Sequence, residues 1–79
     1  MLRKKEPKVI ITFHTTAEAI AMERTCKEAS VPGRMIPVPR ELSAGCGLAY
    51  CAPAEMKERL KELLVQTHLE WESMEEMLY

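Results

Sequence analysis

The segment IPVPRELSAGCGLAY, residues 36–50, determines both the expected fold and the candidate chemistry. It begins with a β-prone run, passes through two prolines and a Gly-Cys-Gly turn, and ends in a second apolar run. Pro37 has no N–H group and cannot donate hydrogen bonds to a sheet, so its strand is expected at a sheet edge. The segment therefore predicts two strands joined by a stiff loop that carries Cys46.

Two more β-prone runs and two helical patterns surround this segment. Residues 8–14 are β-branched and aromatic, which predicts a central strand. Residues 15–18, TTAE, form a capping box that begins a helix ending near Ala29. A second helix is predicted from Pro53 to residue 66 or 67, and a fourth strand within residues 69–78.

The resulting order is strand, helix, strand, strand, helix, strand. For a small α+β domain this order predicts the ferredoxin-like βαββαβ fold, a two-layer sandwich in which an antiparallel sheet is covered by two helices. The topology places His14, the start of the first helix, the loop of residues 39–47 and His68 at one end of the sheet. The candidate residues are therefore expected to gather there.

Length and charge restrict the class of protein. We expect residues 1–7 to be a flexible leader and residues 8–79 a single domain, because 79 residues support only one small core. The 11 basic and 12 acidic residues leave a net charge of -1, which favours neither nucleic acid nor a membrane surface as a partner. The sequence shows no export signal, so its three cysteines are expected as reduced thiols in the cytoplasm.

Cys46 is the candidate reactive residue. A cysteine attacks as its thiolate, and a nearby cation or helix N-terminus favours that form. Arg40 supplies a cation in the same loop, and Gly45 and Gly47 allow turns whose N–H groups can hold an anion. His14 is a candidate auxiliary base. The alternative is that Cys46 is a small apolar side chain that fills a turn.

The remaining cysteines have weaker signals. Cys26 lies on the apolar face of the first helix, where packing explains it. Cys51 lies five positions after Cys46, roughly 16 Å along an extended strand, whereas a disulfide needs Cα atoms within about 7 Å. We expect no internal disulfide, no metal site and no cofactor.

The loop resembles the signature of a family of small bacterial domains described as selenium/sulfur carrier-like. The similarity lies in IPVPRELS, residues 36–43, followed by CGLA, residues 46–49. It implies that Cys46 carries sulfur or selenium as a persulfide-type adduct, received from a donor protein and passed to an acceptor protein. It also implies that Arg40, Ser43 and the glycines around Cys46 bind the anionic adduct.

Three functions follow from these residues. The first is a carrier or accessory protein rather than a stand-alone enzyme. The second is a non-catalytic ferredoxin-like module that binds a small ligand or another protein, which the fold alone also permits. The third is a thiol enzyme, for which the sequence offers no resolving cysteine and no clear base. The sheet edge opposite Pro37 is open to pairing with a second copy, so a homodimer is one expected assembly.

Overall fold

The computed structural model describes residues 5–42 and 46–79. Two of the candidate residues, Ser43 and Gly45, lie outside the described residues. The elements follow the predicted order. Their bounds are β1 Pro7–Thr12, α1 Thr16–Glu28, β2 Arg34–Pro37, β3 Leu48–Pro53, a 3-10 turn Ala54–Met56, α2 Lys57–Gln66 and β4 Ser73–Leu78.

The four strands form one antiparallel sheet in the order β2-β3-β1-β4. This order fits the ferredoxin-like arrangement, and it confirms the predicted α+β sandwich. β1 is central, as its β-branched sequence predicts, and β2 is an outer strand that ends at Pro37. β4 is the other outer strand, and pairing of two copies along it stays a prediction.

A capping box begins α1, as the TTAE sequence predicts. The Glu18 N–H donates to Thr15 Oγ1 at 3.2 Å, and the Thr15 N–H donates to Glu18 Oε1 at 3.2 Å. These bonds satisfy donors that the first helical turn leaves unpaired. The helix buries Ala19, Met22 and Cys26, which recur at helical spacing and face the sheet.

The start of the second helix differs from the prediction. Pro53 is the last residue of β3 instead of the first of a helix, and its ψ of 140° is extended. A 3-10 turn follows, and α2 begins only at Lys57. The turn joins the end of the sheet to the apolar stripe of α2. That stripe, Leu60, Leu63 and Leu64, is buried.

Neither helix is long and apolar enough to cross a membrane, over the residues that the structure describes.

Buried side chains form two clusters, one on each face of the sheet. The helix-side core lies between the sheet and the helices and includes Val9, Ile11, Phe13, Tyr50 and Leu60. The second cluster, which we call the helix-free-face cluster, contains Ile10, Ile36, Ala49 and Cys51. Val38, Leu42, Met77 and Tyr79 pack against it. The start of the loop after β2 and the end of the chain thus cover the face that has no helix.

A glycine allows Tyr50 to pack in the helix-side core. Tyr50 is 2% exposed. A Cβ atom at Gly33 would lie 2.5 Å from Cε2 of the Tyr50 ring and 2.6 Å from its hydroxyl oxygen. Only a residue without a side chain fits against the ring here, which explains the glycine just before β2.

Candidate functional site

Strand register brings parts of three strands together at one end of the sheet. Thr12, the last residue of β1, lies opposite both Ala49 of β3 and Ser73 of β4. Pro37, the last residue of β2, lies opposite Leu48. The end of β1, the two ends of the β2–β3 connection and the start of β4 therefore share one end of the sheet.

Backbone hydrogen bonding fixes the base of the loop. The Val38 N–H donates to the Gly47 carbonyl at 3.0 Å and closes the β2–β3 connection directly after Cys46. Gly47 has a φ of +75° and open space where a Cβ would be. The residue is therefore glycine because of its backbone conformation, which other residues adopt only at a cost. This turn sets the direction in which Cys46 leaves the strand.

The Cys46 thiol is half-buried and contacts the backbone of β3. Its Sγ lies 3.4 Å from the Leu48 nitrogen, whose N–H donates to the sulfur, and 3.4 Å from the Leu48 carbonyl oxygen. The amide donor stabilises negative charge on the sulfur, and the carbonyl accepts from the S–H group of the neutral thiol. The side chain also packs against the helix-side core. Sequence reasoning missed these contacts because they depend on how the turn meets the strand.

Arg40 has different neighbours. Its side chain is exposed and lines a cavity of about 370 Å³ together with Lys5, Met77 and Tyr79. Within residues 5–42 and 46–79, no hydrogen bond joins its guanidinium group to Cys46. The described contacts associate Arg40 with the end of β4 and Cys46 with the helix-side core. Direct assistance of the thiol by Arg40 stays a prediction.

His14 lies at the start of α1. Its side chain is 58% exposed, and Nδ1 is 4.0 Å from Glu18 Oε1. The His14 backbone N–H donates to the same carboxylate oxygen at 3.1 Å. These contacts tie His14 to the helix cap, and the structure describes no contact between it and the thiol. Its role as an auxiliary base stays a prediction.

The other two cysteines lie on opposite faces of the sheet. All three cysteines are thiols and none forms a disulfide. Cys26 is buried in the helix-side core, where burial raises the pKa of its thiol and a hydrogen bond from Tyr50 partly offsets that rise. Cys51 belongs to the helix-free-face cluster and lies directly opposite Arg34 in the β2–β3 register. Sequence reasoning missed the pairing of Arg34 with Cys51 because the register between β2 and β3 was unknown.

Metal binding has no support among the residues described. No group of three or more His, Cys, Asp or Glu side chains in those ranges is arranged to hold an ion. The candidate site is therefore a single half-buried thiol in a fixed turn, next to a backbone amide donor.

Comparison with known proteins identifies a family. No curated protein and no solved structure matches the chain. Residues 8–76 match the model of the family described as "Putative Se/S carrier protein-like", and this span covers nearly the whole chain and includes Cys46. The chain belongs to this Se/S carrier-like family.

Proposed function

We propose that Cys46 carries a sulfur or selenium atom as a persulfide-type adduct between two partner proteins. The Cys46 thiolate attacks the terminal sulfur of a persulfide on the donor protein. A new S–S bond forms at Cys46, the donor's S–S bond breaks, and the donor cysteine leaves as a thiolate. A nucleophile of the acceptor protein then attacks the terminal atom and releases Cys46 as a thiolate. The atom moves without any external oxidant or reductant.

The contact between the Leu48 N–H and Cys46 Sγ carries this proposal. The amide donates to the sulfur at 3.4 Å, and the Leu48 carbonyl oxygen accepts from the S–H group at 3.4 Å, so the two contacts hold the reacting sulfur in one position in the turn. The half-buried position limits access by solvent and keeps part of the residue accessible to a partner. Membership of the family supplies independent support.

We infer that the partners are proteins, because the described residues near Cys46 do not include the groups of a complete thiol enzyme. A thiol enzyme needs a base or a resolving thiol close to its nucleophile. The Cys51 side chain lies on the face of the sheet opposite to that of Cys46, and His14 is held at the helix cap. The donor and acceptor therefore supply the remaining groups. We place the transfer in the cytoplasm, where reducing conditions keep protein thiols available.

A mass measurement tests the proposal. The protein is mixed with a protein persulfide donor, such as a cysteine desulfurase with its substrate, and intact mass is recorded under non-reducing conditions. We expect the gain of one sulfur atom, located at Cys46 by peptide mapping. Cys46→Ser should abolish the gain, whereas Cys26→Ser and Cys51→Ser should retain it. Equal labelling of the three cysteines, or labelling of Cys46→Ser, would exclude a carrier role for Cys46.

Arg40 supports a second candidate function, a module that binds a small ligand. Arg40 lines a cavity of about 370 Å³, and a guanidinium group binds carboxylate or phosphate oxygens through two parallel hydrogen bonds. In this alternative Cys46→Ala retains the cellular function and Arg40→Gln loses it. The carrier function predicts that Cys46→Ala loses it, so the same pair of variants separates the two.

A further inference from the structure

A second cavity lies on the sheet away from Cys46. It has a volume of about 410 Å³, within the range of small-molecule sites. Its lining includes residues from three strands and from both ends of the described chain. Among them are Glu6, Lys8, Arg34, Cys51, Pro53 and Tyr79.

Strand register places a cation beside a thiol in this cavity. Arg34 of β2 lies directly opposite Cys51 of β3. Directly opposed residues in an antiparallel pair have Cβ atoms roughly 4.5–5.5 Å apart and project to the same face. Ile36, two residues after Arg34, packs in the same cluster as Cys51, so both side chains belong to the helix-free face. This pairing of a thiol with a fixed cation is the one expected at Cys46.

The charges around Cys51 favour an anion. Lys8 of β1 lies opposite Pro53, two residues after Cys51 on β3, and its Nζ is 3.7 Å from Glu6 Oε1. Arg34 is exposed and makes no ion pair with any residue that the structure describes. One cation of the cavity is therefore paired with an acid, and the other is available to a ligand. A guanidinium group is suited to a carboxylate or another oxyanion.

We propose that this cavity binds a small organic anion through Arg34 and presents the Cys51 thiol to it. Cys51 is 4% exposed and is one of the residues that line the cavity. A reagent therefore reaches its sulfur from the cavity. The cavity therefore selects reagents by charge, and anionic electrophiles react with Cys51 faster than neutral ones of the same size. This site is independent of the carrier function of Cys46.

Iodoacetate and iodoacetamide test the proposal because they differ in charge and have almost the same shape. In both reactions Cys51 Sγ attacks the methylene carbon, a C–S bond forms, iodide leaves, and the thiol proton passes to solvent. The folded chain is labelled first, and the rate constant of each cysteine is then measured by peptide mass mapping. The measured quantity is the ratio of the iodoacetate rate to the iodoacetamide rate at Cys51.

We expect Arg34→Gln to lower this ratio at Cys51 by roughly five- to twentyfold, as Coulomb attraction over several ångströms near a protein surface predicts. Arg34→Lys should retain most of the ratio because it keeps the charge. Arg59→Gln is the matched control, since Arg59 lies on α2 and is 3.7 Å from Glu62. It should leave the ratio unchanged. The ratio at Cys46 should change in neither Gln variant.

A second measurement detects binding without a covalent step. Succinate is added while the neutral reagent labels Cys51. We expect succinate to slow the labelling in the wild type and to have no effect in Arg34→Gln. A ratio at Cys51 that does not respond to Arg34→Gln, together with no protection by succinate, would show that Cys51 is only a buried apolar side chain. Cys46→Ser leaves both results unchanged, so failure here does not bear on the carrier function.

Discussion

Replacement of Gly33 by alanine tests the packing of Tyr50. The new Cβ would lie 2.5 Å, 2.6 Å and 2.7 Å from three atoms of the Tyr50 ring. Ordinary carbon contacts are about 3.5–4 Å, so the ring or the strand must move by roughly 1 Å. The ring cannot move freely, because Tyr50 is 2% exposed and belongs to the helix-side core.

The expected loss follows from two costs and one gain. Overpacking of a close-packed core costs about 1–3 kcal/mol of unfolding free energy. Gly33 has a φ of +155°, where alanine is strained by about 1–2 kcal/mol. The smaller entropy of the unfolded chain returns about 0.4–1 kcal/mol. We therefore expect Gly33→Ala to lower the free energy of unfolding by about 3 kcal/mol.

Gly47→Ala is the matched control for this experiment. Gly47 has a φ of +75°, but nothing lies within 4 Å of a Cβ placed there. Its cost is backbone strain alone, about 1 kcal/mol after the unfolded-state gain. Urea unfolding followed by circular dichroism measures both variants. A loss below 1 kcal/mol for Gly33→Ala, or equal losses for the two variants, would refute the steric argument.

Three further changes should also have measurable effects. Thr15→Ala removes the cap of α1 and should lower the free energy of unfolding by about 1 kcal/mol in urea, whereas Thr15→Ser should retain most of it. Leu60→Ala leaves a cavity under α2 and should cost about 2–5 kcal/mol, which a thermal melt will show as a clear fall in Tm. Burial raises the pKa of Cys26 above its ordinary value of 9.0 and raises that of Tyr50 above 10.0, with a hydrogen bond to Cys26 adding to the rise at Tyr50. The folded state therefore holds these protons more tightly, so the contribution of the two groups to stability is constant below about pH 9 and falls as the pH rises above 9.0 for Cys26 and above 10.0 for Tyr50. Tyr50→Phe should flatten this fall in urea titrations at several pH values, and an equally steep fall would contradict the assignment.

Most of the fold is predictable because local and tertiary preferences agree. The TTAE cap, the β-branched first strand and Pro37 each have one good place in a ferredoxin-like domain, and the structure puts them there. Pro53 shows where this agreement ends. Its fixed φ suits the first turn of a helix, but the same φ also suits the end of a strand. Pairing of Lys8 with Pro53 extends β3 to include the proline.

The candidate site is less predictable because it depends on which face of the sheet each side chain contacts. Sequence proximity suggests that Arg40 accompanies Cys46, since both lie in one loop. The loop instead begins by packing Val38 and Leu42 against the helix-free-face cluster, and Arg40 follows them to the end of β4. Conversely, Arg34 and Cys51 are 17 positions apart in the sequence but directly opposed in the sheet. Only the register reveals such a pair.

The positions of Cys46 and Cys51 affect how long an adduct on Cys46 would survive. A persulfide is destroyed quickly when a second thiol of the same chain can attack it and close a disulfide. Here Cys46 packs on one face of the sheet and Cys51 on the other, so the strands stand between them. An atom held at Cys46 would therefore have no internal route of discharge through Cys51. Cys26 shares the helix-side core with Cys46, but it is fully buried and burial raises its pKa, which keeps it a neutral thiol and a poor nucleophile. The lifetime of the adduct would then be set by encounters with other molecules, so its delivery would be timed by the arrival of an acceptor.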